Sequence, residues 1–182
     1  DEIAEVSILE SRQGIYIDFL VTSLVPNVFM TLMGFLLILS GGYKAKKVFA
    51  KAITILFVGF AVNLIRVPLP EWVGNALGMT EYGDLLGNAI YHLTMIDIYS
   101  FVGYALLTII PLTFFSLPYP IYFVFSGLAM LAASFGEEIL DWLPLEFEFI
   151  FGYLFIGEEK NVYFPLFPWL AYIFLGIGLG LF

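Results

Sequence analysis

Tyr43-Lys44-Ala45-Lys46-Lys47, with Lys51 one helical turn further on, is the stretch that decides the fold. It holds four of the chain's seven basic side chains and no acidic one. Long apolar runs flank it on both sides. Lys and Arg are retained on the cytoplasmic side of short loops between membrane spans. The pattern therefore predicts a polytopic membrane protein whose Lys44–Lys51 loop faces the cytosol. All sixteen Asp and Glu residues lie outside that loop.

Composition agrees with this reading. The 182 residues are 61% hydrophobic and 13% charged, with a mean hydropathy of +0.96. A soluble domain is about 45–50% apolar and about 25% charged. A fold of this size has too much surface for its volume to hide so many apolar side chains from water, so membrane lipid must cover part of it. The net charge of −9 argues against nucleic acid as a partner, which needs a basic footprint. With no cysteine, neither a disulfide nor a thiolate metal site is open to the chain.

A spanning helix needs about 20 mostly apolar residues. Outward from the lysine loop, five candidate spans follow: residues 18–39, 48–65, 89–115, 120–135 and 165–182. Pro26 is expected to kink the first, and the third contains Asp97 and Pro111. The fold class expected is all-α, a single membrane domain built as a helical bundle of about five spans. Alternation from a cytosolic lysine loop places residues 66–88 and 136–164 outside. Glu71, Glu81, Asp84, Glu137, Glu138, Asp141, Glu146, Glu148, Glu158 and Glu159 then share one side, and Trp72, Trp142 and Trp169 fall at the outer interface as an aromatic belt. The 136–164 segment reads as an extracytoplasmic interfacial or re-entrant element. Within it Leu145-Glu146-Phe147-Glu148-Phe149 alternates with period two, which fits a half-buried extended strand or a lid on the surface.

Few residues can carry chemistry. His92, the lone histidine, is either an interfacial side chain bonded to water or a carbonyl, or a general base, since histidine exchanges protons near neutrality. On a continuous 89–115 helix, Asp97 would lie roughly 7.5 Å deeper than His92 and about 140° around the axis, so the two would not bond. A carboxylate at depth costs about 2.5–3.5 kcal/mol on insertion scales, so Asp97 is expected to face a polar interior or be protonated, or else to cap a neighbouring helix or pair with Arg66. Arg66 either snorkels to the outer surface or holds an anionic or sugar group through its planar fork. Asn63 lies one turn deeper on the same face. Asn63, Arg66 and Asp97 are expected to form a polar pocket that opens outward. His92 and Asp97 are the catalytic candidates, and Asn63 and Arg66 the substrate-binding ones. Neither a Gly-x-Ser-x-Gly turn nor metal-ligand spacing occurs. Gly176 and Gly180 give the last span a small-xxx-small face, suited to close packing within the chain, with partner helices or across a homodimer.

The last span carries something more specific. Val162-Tyr163-Phe164-Pro165-Leu166-Phe167-Pro168-Trp169-Leu170 and the Gly176-Ile177-Gly178-Leu179-Gly180 run resemble the Phe-Pro-Leu-Phe/Leu-Pro-Trp…Gly segment of membrane acyltransferases of the heparan-α-glucosaminide N-acetyltransferase type. Ile96-Asp97-Ile98-Tyr99-Ser100-Phe101-Val102-Gly103 is similar to that family's Asp-Ile-Leu-Gln-Phe-Ile-Gly element. Phe29-Met30-Thr31-Leu32-Met33-Gly34-Phe35 resembles its second helix, and a basic loop follows in both. The resemblance implies a multi-helix plasma-membrane enzyme. Such an enzyme moves an acyl group from cytosolic acyl-coenzyme A to an extracytoplasmic sugar or lipid-linked glycan, with a histidine as base or acyl carrier. The family pattern opens with Asp-x-x-Arg-Gly and a histidine. Here Arg12-Gln13-Gly14 is only an echo of it, and no histidine precedes residue 18.

Three readings follow: an acyltransferase, a non-catalytic membrane subunit that keeps the fold, and a carrier with Asp97 as coupling group. The lack of an internal two-fold repeat argues against the carrier. The acidic start lies outside on this topology without a signal sequence. The expectation is therefore that the chain is incomplete or acts with partner helices, an upstream helix or a cleaved signal having carried its start across, with any catalytic histidine upstream of Asp1 and His92 in a secondary pocket role.

Overall fold

The lysine loop is built around the end of a helix. The computed structural model describes residues 24–79, 83–136 and 162–182, with positions 138, 142, 144, 147, 151, 152 and 155 between them. Helix α1 spans Val25–Leu39 and closes through Ser40 and Gly41. Gly41 has φ +60°, which glycine adopts without a Cβ clash, and its N–H donates to Ile38 O at 2.9 Å. Lys47 Nζ then donates to Gly41 O and Lys51 Nζ to Ser40 Oγ, at 3.3 and 3.4 Å. The cations sit where the α1 dipole is negative. Pro26 is the second residue of α1 as described, and the expected kink concerns its junction with residues 18–23, which lie outside the described residues.

Helix α2, Ala45–Arg66, begins three residues earlier than expected, so Lys46 and Lys47 are in its first turn. It stops where it does because Pro68 disfavours the helical region for Val67, whose φ/ψ is −131°/−62°. Pro68–Ala76 forms α3, and Leu85–Leu93 forms α4, with Asp84 as N-cap.

The expected span over residues 89–115 is overturned. Helix α4 ends at Leu93, four residues depart from the helix, and α5 restarts at Ile98–Ile109. The restart has a local cause: Asp97 is extended, and its Oδ1 accepts from Ser100 N at 2.9 Å, an N-cap in the usual geometry. At the other end Pro111 cannot donate to the carbonyl one turn back, and the chain continues as a 3-10 turn, Ile110–Phe114. Helix α6 is Tyr119–Ser134 and α7 is Leu166–Leu181, with a cis peptide bond between Phe167 and Pro168.

Packing follows the small residues. Helix α7 lies against both α1 and α6, and α2 lies against α5. Gly34 and Gly176 let α1 and α7 touch backbone to backbone. A Cβ on Gly34 would overlap Ile173 O, and one on Gly176 would overlap Thr31 O. Gly180 meets Ile38 of the same chain. On the α2–α5 side, Gly59 sits under Tyr99 and Ser100. Met30, Ala52, Phe101, Ile109, Tyr122, Ile173 and Ile177 are buried in one apolar cluster that draws on all five long helices. At the lysine end, the hydroxyls of Tyr43 and fully buried Tyr122 are 2.6 Å apart, tying the α1–α2 loop to α6.

The described helices are apolar but unequal. The run Ala45–Ala76, with a mean hydropathy of 2.2, is the one long and apolar enough among the described residues to cross a membrane by itself. Helices α1, α6 and α7 are shorter, and α5 reaches comparable length only with its 3-10 extension. Most of the 136–164 segment, including Glu137, Asp141, Glu146, Glu148, Glu158 and Glu159, lies outside the described residues, as do Glu81 and Arg12. Phe147 is the described member of the alternating run. It is helical, its N–H bonded to Pro144 O at 2.8 Å, so the extended reading fails there. Phe151 and Phe155 stack at 4.8 Å, and both lie against Phe167 at the start of α7.

Candidate active site

The break between α4 and α5 exposes main-chain polar groups inside an apolar bundle, and each described one has to find a partner. Thr94 closes α4 by donating from Oγ1 to Ile90 O at 2.8 Å. Met95 and Ile96 are buried. Asn63, at the end of α2, donates from Nδ2 to Met95 O at 3.4 Å. Ile96 O accepts two N–H groups, from Tyr163 at 3.1 Å and Phe164 at 3.2 Å. Val162 pairs with Ile96 as a parallel bridge. Backbone away from a helix is tolerated at membrane depth only when protein or water covers it. Here α2 and the entry to α7 supply that cover.

Two recesses flank the break. The smaller, about 150 Å³, is lined by Asn63, Arg66, Val67, His92, Met95 and Tyr163. The larger, about 410 Å³, is lined by Arg66, Asp97, Tyr99, Tyr163 and Phe164 among others. They share Arg66, Met95 and Tyr163. All four residues singled out in the sequence thus come to one place. Asn63, Arg66 and His92 line the first recess, and Arg66 and Asp97 the second. The route differs from the one expected. His92 and Asp97 are on different helices, so the 7.5 Å and 140° relation of a continuous helix does not hold.

Two polar atoms of this place are buried without a hydrogen-bond partner. Asn63 is 2% exposed. Its Nδ2 is committed to Met95 O, which fixes the amide orientation, because a flip would set two oxygens against each other. Its Oδ1 is then buried with no donor. His92 Nδ1 is likewise buried without a partner, with the ring edge-on to Tyr91 at 5.3 Å. Most buried polar atoms are paired, so two orphans on one recess call for an explanation. Arg66 is exposed at the rim and brings a fixed positive charge. Asp97 spends one oxygen on the cap of α5, which makes it first a positioning residue. Met95, Val67 and Tyr163 were not found from the sequence. Met95 contributes a carbonyl, which carries no sequence signature, and Tyr163 arrives from the far end of the chain. The Asp97-x-x-Ser100 cap was the available signal.

An all-α membrane protein with a small polar recess beneath a broken helix is the class these features define. The chain belongs to the catalytic-domain family of heparan-alpha-glucosaminide N-acetyltransferase, whose family model matches residues 6–182. This is a membrane-embedded acetyltransferase family that uses acetyl-coenzyme A as donor. Comparison with curated proteins and with solved structures returns no match.

Proposed function

We propose that this chain forms the membrane part of an acyltransferase that moves an acyl group from acyl-coenzyme A to a hydroxyl or amine of an extracytoplasmic sugar or lipid-linked glycan. The observation that carries the reading is the pair of buried, unpartnered polar atoms, Asn63 Oδ1 and His92 Nδ1, on one recess with Arg66 at its rim. Asn63 Oδ1 asks for a donor, which an acceptor hydroxyl or amine supplies, and His92 in the tautomer with a bare Nδ1 can take up its proton. In the reaction the acceptor heteroatom forms a bond to the thioester carbonyl carbon and the carbon–sulfur bond breaks. His92 Nδ1 takes the proton that the acceptor loses and hands it to the coenzyme A sulfur, so the base is neutral again when the thiol leaves. A positioned general base contributes about 10²–10⁴-fold in rate. Asn63 holds the acceptor, Arg66 an anionic substituent, and Asp97 keeps α5 in register. In the same proposal the Lys44–Lys51 stretch is cytosolic and the acidic residues of 66–88 and 136–164, Glu71 and Asp84 among them, are extracytoplasmic, so donor and acceptor meet across the bundle.

The test is acyl transfer from labelled acetyl-coenzyme A to an amino-sugar acceptor in vesicles holding the full protein. His92→Gln, which keeps a polar side chain of similar reach but no base, is expected to lower kcat by about 10²-fold or more with intact folding. Asn63→Leu is expected to raise KM for the acceptor without changing KM for the donor. Unchanged kcat in His92→Gln would remove the histidine from the mechanism. Donor hydrolysis or transfer absent from the wild type under all acceptors would leave a non-catalytic subunit as the better description.

A further inference from the structure

Away from the polar recess, a slot of about 600 Å³ runs between α1 and the α2–α5 pair. Phe29, Leu32 and Leu36 form one wall, Ile55, Val102 and Leu106 the other, and Ser40 and Lys51 close one end. Phe29, Leu32 and Leu36 are each close to half exposed, so the slot opens sideways, toward lipid. From Phe29 to Ser40 the helix rises roughly 16 Å at 1.5 Å per residue. That is close to half of a hydrocarbon core about 30 Å thick, or one leaflet.

The closed end is charged. Lys51 and Lys47 are exposed, and their bonds to Ser40 Oγ and Gly41 O are long. Lys44 and Lys46 stand beside them, and the sequence has no Asp or Glu between Asp18 and Glu71. An apolar slot one leaflet long, ending in cations with no acidic neighbour in sequence, matches a molecule with a long hydrocarbon chain and an anionic head. We propose that this slot is a binding site for one anionic glycerophospholipid, with an acyl chain along α1 and its phosphate on Lys47 and Lys51. Lysines at a membrane surface attract anionic lipid. A zwitterionic lipid would present its own cation to the same cluster. The acetyl donor has a two-carbon acyl group, too short to occupy the walls.

The full chain, delipidated in mild detergent and titrated with equal amounts of phosphatidylglycerol and phosphatidylcholine, would be followed by native mass spectrometry. One phosphatidylglycerol should be retained in clear preference. In the exposed-site double variant Lys47→Gln/Lys51→Gln that preference should fall about tenfold or more, as expected from removing two lysines from a phosphate. Leu36→Trp, which fills the slot, should abolish retention, whereas Val124→Trp on the exposed face of α6 should leave it unchanged. Equal retention of the two lipids, or a preference that survives the double lysine change, would overturn the assignment. So would an equal loss in Leu36→Trp and Val124→Trp. Displacement of the bound lipid by acetyl-coenzyme A alone would give the slot to the donor and also end the proposal.

Discussion

Replacing Gly176 by Ala tests whether α1 and α7 really meet backbone to backbone. The added Cβ would overlap Thr31 O and lie 2.8 Å from Phe35 N, and neither is a flexible side chain that can step aside. The helices must part, and buried Met30, Leu37, Ile173 and Ile177 lose contact along the seam. Overpacking of this kind costs about 1–3 kcal/mol. Alanine's better helix propensity returns about 0.5–1 kcal/mol of that. Gly127 in α6 is the control, because a Cβ there meets nothing within 4 Å. Gly127→Ala should therefore gain the propensity term with no penalty. For a chain of this size, one kcal/mol moves a midpoint by about 2–4 °C. Thermal unfolding of the detergent-solubilised protein, read by size-exclusion fluorescence, should show Gly176→Ala lowered by several degrees and Gly127→Ala equal to or above wild type. If Gly176→Ala matches Gly127→Ala, the close approach of α1 and α7 is refuted.

Three further outcomes are expected. Asp97→Ala should cost about 1 kcal/mol of stability through the lost cap, and Asp97→Ser should restore most of it; if Asp97→Ser recovers stability but not acyl transfer, the carboxylate has a role beyond α5. Burial, reinforced by the Tyr122 hydroxyl, pushes the Tyr43 phenol above its ordinary value of 10.0. The neutral form is thus favoured in the fold, with its stabilisation present below about pH 10 and lost as pH rises past it; Tyr43→Phe should flatten the alkaline fall in thermal midpoint, and an unchanged fall would exclude the pair. Last, cysteines at Lys46 and Asp84 should divide in impermeant maleimide labelling of intact cells, with Asp84→Cys reacting and Lys46→Cys protected; the reverse would invert the orientation.

Much of the bundle was legible because it is written in hydropathy. The apolar runs that became α1, α2, α6 and α7 are bounded by Lys, Gly and Pro, which act locally. The break before Asp97 was hidden for the same reason. Thr94-Met95-Ile96-Asp97-Ile98 sits between apolar stretches, so a hydropathy window reads straight through it, whereas the decisive signal is a side-chain oxygen reaching an amide three residues on. The site was half legible. Asn63 and Arg66 could be paired by helical spacing, and His92 and Asp97 by being polar in apolar company. Their meeting around Met95 O and Tyr163 depends on long-range main-chain bonds that no residue type announces.

Those same bonds set an order of events during synthesis. Ile96 O is satisfied by amides of residues 163 and 164, which leave the ribosome long after α4 and α5 have been made. Until then the opened turn at residues 94–97 lacks two of its donors, and lipid cannot lend them. The nascent chain should hold this stretch as continuous helix, or keep it at the water interface, and open it only when the entry to α7 docks. Glycosylation-depth mapping of chains stalled before and after residue 164 should record a shift in the position of the 94–97 stretch. The recess that holds Asn63 and His92 would then form only once α7 is in place.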